Sequence, residues 1–86
     1  MKNMADFKRW LKPGKEMTLI EHSYGHKDIN LCRKVITVQT NCFSMLGSNG
    51  KESWLSYPKS KQVSFDGNIM TIFEDDFKMV YRLENE

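Results

Sequence analysis

Beyond Gly14 the chain never sustains a helical period, and turn-forming residues interrupt it every few positions. That pattern constrains the fold more than any other feature, because short β-branched or alternating runs between tight turns pair as antiparallel strands. Met17–His22 reads as a first strand, and Ser23–Asn30 as a polar loop. Leu31–Thr40 (LCRKVITVQT) is the strongest strand signal, followed by Phe43–Leu46. Gly47-Ser48-Asn49-Gly50 marks a hairpin, since Asn-Gly supplies the positive φ angles such turns use. Glu52–Tyr57 returns, and Pro58 ends it for want of an N–H. Gln62–Phe65 and Ile69–Glu74 flank a second hairpin signal, Asp66-Gly67. Phe77, Met79, Tyr81 and Leu83 then alternate with polar or smaller residues, which predicts a half-buried strand facing inward on its odd positions.

The N-terminal segment differs. Met4, Phe7, Trp10 and Leu11 fall on one helical stripe, Asn3 or Asp6 can cap its start, and Pro13-Gly14 stops it. A helix over residues 4–12 is too short to stand alone in water and must pack through Phe7 and Trp10. No βαβ unit appears. The expectation is one mostly-β domain over residues 1–86: a short helix packed on a small antiparallel barrel or roll of six to seven strands, the strands forming a meander over 17–84.

The net charge is +2, from 13 basic and 11 acidic residues. Its distribution is uneven: residues 1–61 hold 11 Lys/Arg against 5 Asp/Glu, and residues 62–86 hold 2 against 6. A uniformly basic surface, the usual footprint of sequence-independent DNA binding, is therefore not expected. The two cysteines are too few for a disulfide framework. No leader-like or membrane-spanning apolar run is evident, so the expected setting is the cytoplasm, with reduced thiols and no membrane partner.

His22, His26, Cys32 and Cys42 have the residue types of a tetrahedral zinc site. Structural zinc ligands usually come in pairs on a tight knuckle, whereas Cys32 and Cys42 stand at opposite ends of one strand. They read more simply as small hydrophobes, with the histidines on a loop. A Cys–His nucleophile would need an orienting group and an oxyanion site, and nothing points to either. Glu74-Asp75-Asp76 reads as a solvated turn. There is no glycine-rich phosphate loop and no GxSxG. The expectation is a non-enzyme with no catalytic residues, no metal and no cofactor.

The most suggestive group is Trp54, Tyr57, Lys59 and Lys61 in SWLSYPKSK, with Arg33 and Lys34 extending it. Single-stranded nucleic-acid binders use such a mixture, stacking aromatics on bases while lysines follow phosphates. The competing reading makes the aromatics core or protein-contact residues and the lysines ordinary surface. Trp10 reads as a core anchor, or as an interface hot spot if it lies outside the sheet.

Three segments, FKRWLKPGKEMTL, KVITVQTN and SWLSYPKSKQVSFDGN, resemble small uncharacterised proteins of prophages and mobile elements of Gram-positive bacteria. The resemblance covers most of residues 7–68 and matches a fold, with no catalytic signature. It implies an accessory or anti-defence protein that binds and blocks a host protein. An acidic surface of Asp66, Glu74, Asp75 and Asp76, with Glu84 and Glu86, would let such a protein stand in for phosphates. The leading expectation is thus a non-catalytic binding protein acting on a host protein, and the alternative is a single-stranded nucleic-acid-binding small barrel. An exposed edge strand allows a homodimer as well as a monomer.

Overall fold

The computed structural model describes residues 1–85. Helix α1 (Met4–Trp10) precedes seven strands: β1 (Glu16–His22), β2 (Cys32–Val38), β3 (Cys42–Leu46), β4 (Glu52–Ser56), β5 (Val63–Asp66), β6 (Ile69–Glu74) and β7 (Phe77–Leu83). A single 3-10 turn, Ser60–Gln62, lies between β4 and β5. The fold is mainly β, as expected. No described helix is long and apolar enough to cross a membrane.

The seven strands form one antiparallel sheet in the order β4-β3-β2-β1-β7-β6-β5. Two meanders, β1–β4 and β5–β7, are joined where the first strand pairs with the last. That pairing has a consequence for closure. Following the antiparallel pairs outward from β1 leaves β4 and β5 running in the same sense. Closing the ring would need a parallel pair, and a parallel connection takes roughly a dozen residues or more. Only residues 57–62 join them. The sheet therefore curls without closing, and the expected barrel is corrected to an open sheet with β4 and β5 as its edges.

Curling is visible in the packing around one side chain. The Phe7 ring lies 5.9 Å from Phe43 on β3, 6.4 Å from Tyr57 just after β4, and 6.2 Å from Phe65 on β5. Both ends of the sheet thus reach the same aromatic. Extra residues at Ile20 in β1 and Ile36 in β2 shift the register against β7 and β3. Such bulges bend strands and increase twist. The concave face holds the core: Phe7, Leu11, Met17, Leu19, Val35, Phe43, Met45, Met70, Ile72, Tyr81 and Leu83.

Helix α1 sits in the curl as the stripe predicted. Asn3 caps it by accepting the Asp6 N–H at 2.9 Å, and Leu11 donates its N–H to the Phe7 carbonyl at 2.9 Å. The helix ends at Trp10, two residues before the expected limit. Pro13 cannot continue it, and Gly14 turns with φ +95° to donate its N–H to the Val35 carbonyl at 2.8 Å. The hairpin turns differ slightly from expectation. In the first, Gly50 alone takes positive φ, while Asn49 accepts the Lys51 N–H through its side chain. In the second, Asp66 pairs with Ile69, so the turn residues are Gly67 and Asn68. Gly67, with φ +60°, meets the positive-φ requirement at the first central position.

Phe7 is fully buried and makes aromatic contacts with both sheet ends. Phe7→Ala is expected to cost about 3–5 kcal/mol, a large share of the roughly 5–15 kcal/mol that holds a domain folded. Urea unfolding followed by tryptophan fluorescence measures this; a loss below about 1 kcal/mol would contradict the central role given to this ring.

Candidate binding surface

Strand alternation sorts the sequence candidates onto opposite faces. Arg33 and Lys34 are neighbours on β2 and therefore point to opposite sides. Lys34 is on the outer, solvent face, while Arg33 shares the inner face with Val35 and is 3 % exposed. Trp54 and Tyr57 are also divided. Trp54 lies on the outer face of β4 and is 50 % exposed. Tyr57 turns inward, its ring 5.5 Å from Phe43, and donates its hydroxyl to the Gln39 carbonyl at 3.1 Å. Lys8 lies over that ring at 4.9 Å. Lys59 and Lys61 are exposed on the β4–β5 connection. The six residues expected to form one basic and aromatic patch are thus dispersed between the core, the outer face and a loop.

The acidic candidates do not gather either. Asp66 closes β5 beside the start of β6, while Glu74 ends β6 and Asp75 and Asp76 form the turn after it. β6 separates them by roughly 17 Å at the usual strand rise. Glu84 accepts Thr18 Oγ1 at 2.8 Å and Arg82 Nε at 3.0 Å, and the Thr18 bond, then Arg82, holds its carboxyl below the usual range. Glu86 lies outside the described residues.

His22 and His26 have ring centroids 5.6 Å apart, and Phe77 stands 4.9 Å from His22. Each histidine accepts a backbone N–H at Nδ1, His22 from Tyr24 and His26 from Asp28. Cys32 is on the outer face of β2 beside Glu16, at 3.6 Å, and burial with that nearby carboxylate pushes its thiol up. Cys42 lies 3.4 Å from Gln39. Among the described residues no three or more His, Cys, Asp or Glu side chains assemble into a metal-binding group. Trp10 is partly buried against the core, stacked 6.1 Å from Phe7.

What the fold does assemble is a platform beneath Trp54. The sheet register sets Trp54 opposite Ser44, and Ser44 opposite Thr37. Ser44 donates its hydroxyl to Glu52 Oε2 at 2.6 Å and accepts the Thr37 N–H at 3.1 Å. Thr37 Oγ1 donates to the same carboxylate oxygen at 3.2 Å. Ser44 is fully buried although it faces outward, its hydroxyl held by the Glu52 carboxylate. Two further apolar side chains are exposed on these strands, Leu46 at 42 % and Ile36 at 36 %. The result is a half-exposed indole set opposite a hydrogen-bonded row of Ser44, Thr37 and Glu52.

A second feature follows from the unclosed edge. A cleft of about 320 Å³ opens between Leu55–Lys59 on one side and Ile72, Glu74, Phe77 and Met79 on the other. Its walls are largely apolar.

The inner Arg33 has a partner that sequence spacing did not reveal. Its guanidinium lies 3.5 Å from Asp28, both side chains 2 % exposed, beside the Tyr81 hydroxyl. Ser48 hydrogen bonds, followed by the Arg33 and Lys27 charges, hold the Asp28 carboxyl below its ordinary value. Burial raises Tyr81, and Arg33 opposes that rise. The pair ties the β1–β2 loop to the sheet and to the β3–β4 turn. The alternation itself carried a hint, since Arg33 is in phase with Val35.

No family model, no curated protein and no solved structure matches the chain.

The depressed Asp28 carboxyl gives a pH dependence with a definite sign. Its folded pKa is below its unfolded one, so its contribution is complete above the unfolded value, about 3.9, and is lost as pH falls through the folded value. Asp28→Asn should lower the thermal midpoint at neutral pH and flatten its decline toward pH ~2. An acid limb as steep as that of the parent chain would show that other carboxylates set it.

Proposed function

We propose that the chain is a non-catalytic binding protein that acts on a protein partner, in the manner of an accessory or anti-defence factor of phage or mobile-element type working in the host cytoplasm. The partner is held on the outer face of β3 and β4 around Trp54. The observation that carries this reading is the half-exposed indole set across the strand register from a hydrogen-bonded Ser44–Thr37–Glu52 row. Tryptophan is among the residues most enriched at binding hot spots, where a rigid aromatic body meets a partner at low entropic cost. Leu46, diagonal to Trp54 in the β3–β4 register, and Ile36 on β2 are further exposed apolar side chains.

Direct nucleic-acid binding is the weaker reading. Stacking proteins flank their aromatics with cations that follow the phosphates. Across the sheet from Trp54 stand Ser44 and Thr37, with the Glu52 carboxylate beside them. Arg33 is paired with Asp28 in the interior, and Tyr57 is committed to the core.

The experiment is an affinity capture from a Gram-positive host lysate with three baits, followed by reconstitution with the purified captured protein. The parent chain and the Lys59→Ala/Lys61→Ala variant should retain the same protein, and Trp54→Ala should weaken its binding at least tenfold, about 1.4 kcal/mol. Retention that depends on the lysines and not on Trp54, or gel shifts on single-stranded DNA or RNA that weaken steeply with salt, would favour the nucleic-acid reading instead.

A further inference from the structure

We infer that two copies of the chain join through their β4 edges, as an antiparallel pair whose twofold axis passes through Trp54. The inference rests on edge geometry and goes beyond the host-protein reading: it turns the single indole platform into a twofold one.

The free hydrogen-bonding groups of β4 can be assigned from its neighbours. Gly47 donates its N–H to the Lys51 carbonyl at 2.8 Å, and Tyr57 donates its N–H to the Asn41 carbonyl at 3.3 Å. Antiparallel bonding alternates by two residues. Residues 51, 53, 55 and 57 therefore turn their backbone groups toward β3. Glu52, Trp54 and Ser56 turn theirs toward the open edge. No strand pairs with β4 on that side, and the outward position that follows is Pro58, which has no N–H to offer.

This run is self-complementary. With the axis at Trp54, the two Trp54 residues bond each other, and Glu52 faces the partner's Ser56 on either side. All outward groups of the strand are then used, in about six hydrogen bonds. No like charges meet, and Lys51 faces the partner's Tyr57. The neighbouring registers are worse. An axis at Ser53 pairs Glu52 with the partner's Trp54 but sets Ser56 against Gly50, which lies outside the strand and already donates its N–H to the Gly47 carbonyl. An axis at Leu55 sets Glu52 against Pro58, which has no N–H, and forfeits bonds. Two steps away, an axis at Glu52 sets two carboxylates opposite each other, and an axis at Ser56 sets Pro58 against Trp54. The two indoles come to lie side by side on the outer face, a favourable cross-strand pair. Proteins protect edges with lysine or proline, yet here Lys51, Pro58 and Lys59 flank the run and leave ESWLS itself unguarded. The opposite edge is different: the N-terminal segment borders β5, with the Met1 amine 3.4 Å from the Gly67 carbonyl and Met4 sharing a crevice with Val63 and Phe65.

Sedimentation equilibrium over a concentration series tests the inference on the full chain. The 10.1 kDa monomer should give way to a species of twice that mass as concentration rises. Ser56→Lys, which places a cation opposite the partner's Glu52, should tighten the dimer about fivefold, and Ser56→Glu should weaken it by a similar factor, the symmetry counting each pair twice. Ser56→Pro removes an edge-facing N–H and should abolish it. A chain that stays monomeric throughout, or a dimer indifferent to all three substitutions, overturns the inference. A monomer that still captures a host protein through Trp54 removes the dimer alone, whereas a dimer that captures nothing removes the proposed function alone.

Discussion

The antiparallel pairing of β1 with β7 governs the rest of this structure. With seven strands, it forces the sheet's edges to be β4 and β5, two strands consecutive in sequence yet running in the same sense. Curling can bring such edges near each other, but a six-residue connection cannot make them neighbours in a parallel ladder. The curl is therefore filled by side chains. Phe7 from the helix, Tyr57 from the connection and Phe65 from β5 share one aromatic cluster, which takes the place of backbone hydrogen bonds in holding the two sheet ends together. The cleft beside Tyr57 and the free edge of β4 both follow from this arrangement.

Much of the architecture was legible because the signals were local. The helix stripe, the six-residue run Ile69–Glu74 and the inward odd residues of β7 depend on period and turn chemistry alone. Strand order was not legible, since the pairing of β1 with β7 joins residues as distant in sequence as Met17 and Leu83 and has no local signature. A meander of seven strands naturally suggests closure, and the parity that prevents closure becomes apparent only once that pair is known. The bulges at Ile20 and Ile36 were hidden for a related reason: each is defined by the partner strand's register.

The candidate site was legible in part. SWLSYPKSK does contain the exposed aromatic, and composition drew attention to it. Grouping its neighbours by sequence proximity was misleading, because a strand sends adjacent residues to opposite faces and residues three apart likewise. Trp54 and Tyr57 were bound to separate, as were Arg33 and Lys34. Burial of Arg33 was harder to foresee. An arginine in phase with core residues is costly without a partner, and Asp28 lies in a loop whose path is set by the fold. Removing one partner would strand the other in a dry interior. The pair thus fixes the loop's position more than it adds to stability, and it secures the β3–β4 turn through Ser48.

The division between the two faces of β4 links stability to binding. Leu55, with Tyr57 just beyond the strand end, faces inward and helps complete the aromatic cluster, so residues of that parity are constrained by packing. Glu52, Trp54 and Ser56 belong to the other parity. Their side chains face solvent and their backbone groups face the unpaired edge. Because the core makes no demand on Trp54, an indole there is a net cost in exposed apolar area unless something covers it. The hydrogen bonds of Ser44, Thr37 and Glu52 order β4 and the strands beside it. A sheet edge that is short, open, ordered and centred on tryptophan is poorly explained by folding alone. Its features fit the requirements of recognition, where rigidity before contact reduces the entropy lost on binding.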